Sequence, residues 1–169
     1  MELNSWKNGK ETIKLIYVYR TPGDIRIEQV GGFHDGAVLV MRSNGKIRAR
    51  GGGIFSIFKF DVSRNSKLLI GITGDSAVES DWGSIFLKFK QMLPYVIKTE
   101  FNAIRIDFRA GYEFRTYLKN QPFGRARIVI RKDGPISQVE RFRNKKRMNR
   151  ITWRNIELNV EVADTAFVL

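Results

Sequence analysis

The 169-residue chain has no cysteine and a single histidine. Without cysteine it forms neither disulfide bonds nor thiolate metal sites, which favours a reducing compartment. It has no run of about 20 apolar residues, so no membrane-spanning helix is predicted. The first residues include Glu2 and Lys7 but no apolar segment, unlike a secretory signal. We therefore expect an intracellular protein, either cytoplasmic or enclosed in a virion.

Enzyme motifs are also missing from the chain. His34 stands beside Asp35, as in a general-base pair, but no nucleophile pattern or second histidine accompanies it. The glycines at 51–53 precede an apolar stretch, whereas a phosphate loop needs a helix and a Lys-Ser or Lys-Thr pair. We predict a surface histidine, a glycine bulge or linker between strands, and a non-enzyme with no cofactor and no metal.

Positive charge is what the chain has in excess, with 30 Lys or Arg residues against 17 acids and a formal net charge of +13. Eleven of these cations, against two acids, lie between Arg125 and Arg154. The surplus is dense, rich in arginine and interleaved with aromatic residues. Such a surface favours binding of a polyanion over the role of an ordinary solvated face.

The first hypothesis is a nucleic-acid-binding protein, RNA preferred, in which cations neutralise phosphates while Phe142 and Trp153 stack on bases. The chain has no RNP motif, KH loop or zinc finger, so little sequence specificity is expected. A secondary basic edge is predicted at Lys46, Arg48 and Arg50. The predicted main site consists of Arg125, Arg127, Arg131, Lys132, Arg141, Phe142, Arg143, Lys145, Lys146, Arg147, Arg150, Trp153 and Arg154.

A second hypothesis remains open, in which the chain is a self-associating structural protein of viral matrix type. Its basic face would bridge an anionic membrane and a nucleocapsid or other ribonucleoprotein, since each Lys or Arg near an anionic leaflet contributes about 1 kcal/mol. Trp6 and the apolar residues 167–169 would then be contacts of a homo-oligomer, although packed or frayed termini are the favoured interpretation of these residues. RNA, DNA and lipid headgroups all present phosphate, so composition does not distinguish them.

The hydrophobic pattern predicts an α+β fold, a predominantly antiparallel β-sheet or sandwich with one amphipathic helix, about residues 81–93, packed on it. Asn44-Gly45 predicts a type I′ hairpin turn. A single domain over 1–169 is expected, with 1–11 a polar N-terminal arm and 143–150 a basic loop. Alternation predicts strands at 12–20, 25–30, 37–41, 46–50, 54–62, 67–73, 101–109, 112–119, 125–132, 136–142 and 151–162.

Overall fold

A computed structural model describes residues 1–6, 11–32, 34–72, 75–106, 109–121, 123–132 and 134–169. These residues contain eleven strands and one α-helix, α1 (Trp82–Met92). The strands are β1 (Glu2–Ser5), β2 (Glu11–Arg20), β3 (Asp24–Val30), β4 (Val38–Met41), β5 (Ile47–Arg50), β6 (Lys59–Asp61), β7 (Val96–Ile106), β8 (Arg109–Leu118), β9 (Arg125–Arg131), β10 (Ile136–Arg143) and β11 (Lys146–Thr152). The described pairings are antiparallel. The predicted antiparallel β-rich fold with one helix is thus confirmed, while the sandwich alternative is not.

The chain divides into two compact units. Unit 1 comprises Met1, Ile13–Ile85 and Ile156–Leu169, and unit 2 comprises Glu2–Thr12 and Phe86–Asn155. Within unit 1 the strands lie in the order β6-β5-β4-β3-β2, and within unit 2 in the order β1-β11-β10-β9-β8-β7. The prediction of one domain over the whole chain stays a prediction.

Unit 1 buries apolar side chains on both faces of its sheet. Ile25 and Ile27 alternate along β3 and pack on one face with Met41, Leu69 and other apolar residues. The opposite parity of β4 places Val38 and Val40 on the other face, where they pack with Phe167. Phe167 is only 3% exposed, so the carboxyl-terminal segment is packed against its own unit.

Unit 2 has one apolar and one polar sheet face, because the register of its six strands aligns apolar residues in one row and polar residues in the next. The apolar row consists of Leu3, Ile151, Val139, Ile128, Phe114 and Phe101. The polar row, one parity over, consists of Asn4, Arg150, Glu140, Arg127, Arg115 and Glu100. On the apolar face, residues of α1 and of the sheet, among them Phe89, Met92, Phe114 and Ile128, line a cavity of about 310 Å³.

Two predicted strands, 54–62 and 67–73, are wrong in most of their length. Short 3-10 helices form at Gly53–Phe55 and Lys67–Leu69, and only Lys59–Asp61 is a strand. Both 3-10 segments close local i to i+3 hydrogen bonds instead of pairing with a neighbouring strand. Alternation of apolar residues alone is therefore not enough to predict a strand in these segments. Thr73 lies outside the described residues.

The predicted basic loop at 143–150 is also wrong, because β10 and β11 form a hairpin whose terminal pair is Arg143 and Lys146. Asn144 and Lys145 between them have positive φ, 48° and 66°, which suits a two-residue type I′ turn. Dense cations can line a strand here because Glu140 on the neighbouring strand binds two of them. The strand predicted at 151–162 ends already at Thr152.

Smaller corrections concern the amino-terminal arm and the first hairpin. Glu2–Ser5 is a strand paired with β11, and Glu11 begins β2, while residues 7–10 of the predicted arm lie outside the described residues. At the Asn44-Gly45 turn only Gly45 has positive φ, 83°, and its N–H donates to the Arg42 carbonyl. This is the pattern of a three-residue hairpin loop with a glycine bulge, not a type I′ turn.

Candidate nucleic-acid interface

Three adjacent strands, β9, β10 and β11, bring many of the predicted site residues together. Phe142 on β10 lies opposite Arg125 of β9 and Arg147 of β11. Glu140, two residues earlier on β10, lies opposite Arg127 and Arg150. The antiparallel register therefore sorts the cations into two neighbouring groups, one around Glu140 and one at the end of the hairpin.

Glu140 is the centre of the first group. It is 2% exposed and accepts hydrogen bonds from Arg127 Nη1 at 2.9 Å, from Arg147 Nη1 at 2.9 Å and from Arg150 Nε at 2.8 Å. Arg127 also donates to Glu113, a second carboxylate with 2% exposure, which Arg115 Nη2 contacts at 2.8 Å. We call this set of two carboxylates and four guanidinium groups the charge ladder, and it keeps a surplus of two positive charges.

The ladder stabilises the ionised form of its central carboxylate. Burial by itself raises the pKa of Glu140, but the hydrogen bonds from Arg127, Arg147 and Arg150 outweigh burial and hold this pKa below its ordinary value. The carboxylate is therefore charged at neutral pH, and its three arginines are held by the protein itself. These arginines position the strands before they meet any external anion.

Trp6 is part of this region, although the sequence suggested only a terminal or self-association role. The Arg147 guanidinium lies 4.3 Å from the centre of the Trp6 ring, and that of Arg150 lies 6.0 Å away. Both distances are within the range of cation–π attraction. The backbone N–H of Trp6 donates to the Met148 carbonyl, which extends the pairing of β1 with β11. Only the pairing of β1 beside β11 reveals this contact, since about 140 residues separate the partners in the sequence.

The second group lies at the end of the β10–β11 hairpin, and we call it the hairpin end. Lys145 and Lys146 are exposed at its tip. The Arg125 guanidinium lies 4.1 Å from the centre of the Phe142 ring, and those of Arg141 and Arg143 lie 5.6 and 6.0 Å from the Phe123 ring. The hairpin end consists of Phe123, Arg125, Arg141, Phe142, Arg143, Lys145 and Lys146.

Four predicted site residues lie elsewhere in unit 2. Arg131 and Lys132 stand at the opposite end of β9 from Arg125, and Arg154 follows the far end of β11. Trp153 is only 8% exposed, and its backbone N–H donates to the Ser137 carbonyl. Its ring belongs to the interior of the unit, so it does not offer a stacking surface.

The predicted secondary basic edge, Lys46, Arg48 and Arg50, belongs to unit 1. Lys46 is exposed beside the first hairpin turn, and Arg50 is partly buried on β5. Arg48 Nε lies 3.3 Å from the Asp61 carboxylate on β6, and both side chains are more than half exposed. A pair this exposed is screened by water, so Arg48 keeps much of its ability to meet an anion.

The chain matches no protein-family model and no curated protein. In the part of the chain that the structure describes, no helix has the length and apolar character needed to cross a bilayer. Nor do three His, Asp or Glu side chains come together as metal ligands within the same residues. Function resides in side-chain chemistry rather than in the fold, and the hairpin end and the charge ladder are the main concentrations of charged side chains in unit 2.

Proposed function

We propose that the chain is a non-catalytic protein that binds nucleic acid, RNA in preference to DNA, through the hairpin end of unit 2. The observation that carries this proposal is the separation of the cations into two groups. Arginines of the charge ladder are paired with Glu113 and Glu140, whereas the hairpin end gathers five cations, and the hairpin segment 141–148 contains no acid. Arg143, Lys145 and Lys146 are exposed there, which suits this end to bind an external polyanion.

Phosphate binding is the first part of the mechanism. Neighbouring strands lie about 5 Å apart, so cations from β9, β10 and β11 offer several closely spaced donors to a nucleic-acid backbone. Lys145 and Lys146 contribute mobile point charges, and Arg125 contributes a planar guanidinium whose ring partner, Phe142, limits its orientations. Contacts of this kind bind the backbone without reading bases, which accounts for the proposed lack of sequence specificity.

The aromatic part of the mechanism differs from the first hypothesis. Phe142 is partly exposed and remains part of the proposed surface. Phe123 is added to this surface because the guanidinium groups of Arg141 and Arg143 lie near its ring. Trp153 is not part of the proposed surface because it is buried. An edge that combines phenylalanine rings with arginines suits unpaired bases, which can stack on either partner. This chemistry is the basis for preferring single-stranded RNA.

The charge ladder has a supporting role in the proposal. It ties β8, β9, β10 and β11 together through Glu113 and Glu140 and thereby fixes the relative positions of the hairpin-end cations. Its surplus of two positive charges adds to the local potential without making direct contacts. Arg127, Arg147 and Arg150 are accordingly positioning residues in this proposal.

The experiment is a salt titration of binding to a single-stranded RNA of about 20 uridines. Each phosphate neutralised contributes about −0.7 to the slope of log affinity against log salt. We expect the double substitution Lys145→Ala and Lys146→Ala to flatten the slope by about 1.4. The matched control removes two exposed lysines elsewhere, Lys14→Ala and Lys90→Ala, and leaves the slope unchanged.

Four outcomes, two of the salt titration and two of the same measurement on other strands, decide the proposal. An unchanged slope in the Lys145 and Lys146 variant would refute the hairpin end as the phosphate contact. An equal loss in the control would show attraction by net charge alone. Equal affinity for DNA of the same length would remove the RNA preference but leave the surface in place, and a large difference between uridine and adenosine strands would contradict the lack of specificity.

A second candidate function is the self-associating structural protein of matrix type. It gains one specific observation, the exposed apolar residues between β5 and β6 in unit 1, where Ile54 and Ile57 are 84% and 79% exposed. Apolar surface of this kind is typical of an assembly or membrane contact. Sedimentation velocity at low salt tests the self-association, since a strict monomer at high protein concentration argues against it.

A further inference from the structure

The connection between β5 and β6 presents an apolar tip that belongs to neither buried cluster of unit 1. Four of its side chains are exposed: Ile54 by 84%, Phe55 by 49%, Ile57 by 79% and Phe58 by 58%. Large apolar residues are normally buried, and four of them exposed within five positions form a contiguous sequence feature. We call residues 51–58 the apolar tip.

The apolar tip is a folded element and not an extended linker. Its glycines allow this, since an added Cβ at Gly51 would lie 2.5 Å from the Phe55 carbonyl oxygen, and one at Gly52 would lie 2.4 Å from that of His34. Gly53 has φ of 55°, a conformation that other residues rarely adopt. The exposure of the isoleucines is thus imposed by a defined backbone.

Several backbone N–H groups of the tip are satisfied within the tip itself. The N–H groups of Phe55, Ser56 and Phe58 donate to the carbonyls of Gly52, Gly53 and Phe55. The Gly51 N–H donates to the Phe58 carbonyl and closes the base. An element that enters an apolar medium needs such internal pairing, because each unsatisfied backbone group costs several kcal/mol there. The tip meets part of that requirement before it meets any partner.

Cations at the base of the tip determine what kind of partner fits. Arg50 and Lys59 lie directly opposite each other on β5 and β6, and no acid occurs from residue 51 to residue 60. Like charges facing each other across a sheet are destabilising unless an anion lies between them or near them. The ion pair described on this hairpin, Arg48 with Asp61, does not include either residue.

We propose that the apolar tip docks unit 1 on an anionic lipid bilayer. Ile54 and Ile57 enter the boundary between headgroups and acyl chains, and Arg50 and Lys59 bind lipid phosphates at the level of the headgroups. Apolar side chains with cations beside them are the combination that interfacial membrane elements use. A second copy of the chain is a poorer occupant, because two identical tips would bring two such cation pairs together. This surface is independent of the hairpin end.

The test is flotation of the full chain with vesicles of phosphatidylcholine and phosphatidylserine, 70:30, compared with phosphatidylcholine alone. We expect binding to the mixed vesicles, and a loss of at least about tenfold in partitioning on substituting Ile54→Ser and Ile57→Ser. Lys59→Ala should weaken binding to the anionic vesicles by about fivefold. The control substitutes two exposed apolar residues elsewhere in unit 1, Leu158→Ser and Val160→Ser, with no loss.

Each alternative outcome contradicts the proposal. No binding of the wild-type chain to the 70:30 vesicles, or an equal loss in the control variant, would overturn it. Concentration-dependent self-association that disappears in the isoleucine variant, without vesicle binding, would assign the tip to an interface between copies. RNA binding of the isoleucine variant should remain at the wild-type level, so the proposed function and this inference can fail separately. Far-UV circular dichroism verifies that each variant is folded.

Discussion

Substitution of Glu140 by glutamine tests the most buried charge in unit 2. The change keeps the size of the side chain but removes its negative charge, while three arginines still point at it. Arg127 keeps Glu113 as a partner, whereas Arg147 and Arg150 have no other acidic partner in the described ranges. Two guanidinium groups, each about one-third exposed, are then left facing a neutral amide.

The expected cost follows from burial and from the number of partners. Removing one partner of a buried ion pair typically costs about 3–5 kcal/mol, since the remaining charge is left without compensation. The arginines here keep some access to water, which places the expectation near the lower value, about 3 kcal/mol. For a chain of this length, each kcal/mol corresponds to about 2–4 °C in melting temperature. A decrease of roughly 6–12 °C is therefore expected for the melting of the chain.

The assay is urea denaturation followed by circular dichroism, with thermal melting as a second measurement. Glu157→Gln is the matched control. Because Glu157 is exposed, this substitution should change the free energy of unfolding by less than about 0.5 kcal/mol. A loss below about 1 kcal/mol for Glu140→Gln would contradict the ladder as a stabilising element. Such a small loss would also imply that Arg147 and Arg150 are available to bind phosphate.

Three further predictions concern pH, the glycines and the hairpin turn. Because the pKa of Glu140 is lowered in the folded state, its ionised side chain contributes fully to the free energy of unfolding above its unfolded pKa, about 4.3. This contribution is lost as pH falls through the folded pKa, so the free energy of unfolding should decrease less on acidification in Glu140→Gln than in the wild type. Gly52→Ala should cost about 1–3 kcal/mol by urea denaturation, whereas Gly124→Ala, where an added Cβ meets no described atom within 4 Å, should not. Lys145→Gly should raise the melting temperature while weakening RNA binding, and a loss of both would contradict this trade-off.

The sequence predicted the helix and most strands because their patterns are long and regular. The stripe of α1 and the alternation in β2, β3 and β9 each reflect burial of one face, which a single sequence records directly. The strand predicted over residues 54–58 was wrong, because these apolar residues lie exposed on a turn built by glycines. Their exposure depends on a close approach of Gly52 to His34, a tertiary contact without a local signature.

The basic surface was predicted in composition but not in arrangement. Cations at 143–150 suggested a loop because like charges repel, yet Glu140 lies opposite them only after β10 and β11 pair. A carboxylate seven and ten residues away in sequence thus turns part of a repelling run into a strand. Trp153 looked like a stacking residue for the same reason, since its burial depends on packing within unit 2. Charge counts identify the region, and cross-strand register decides which charges face outward.

The turn between β10 and β11 connects this arrangement to the proposed function. A non-glycine residue at positive φ costs roughly 1–2 kcal/mol, and asparagine tolerates that conformation better than lysine does. At the β4–β5 hairpin, the chain places Gly45 at the positive φ and avoids this cost, but at the β10–β11 turn it places Lys145 at a φ of 66°. Local rules are typically broken where a side chain is needed for binding. Lys145 is exposed, so the strain and the exposed cation have one explanation if the hairpin end binds phosphate. Lys145→Asn tests this explanation, because it relieves the strain and removes the charge together, so RNA affinity should fall although the fold becomes more stable.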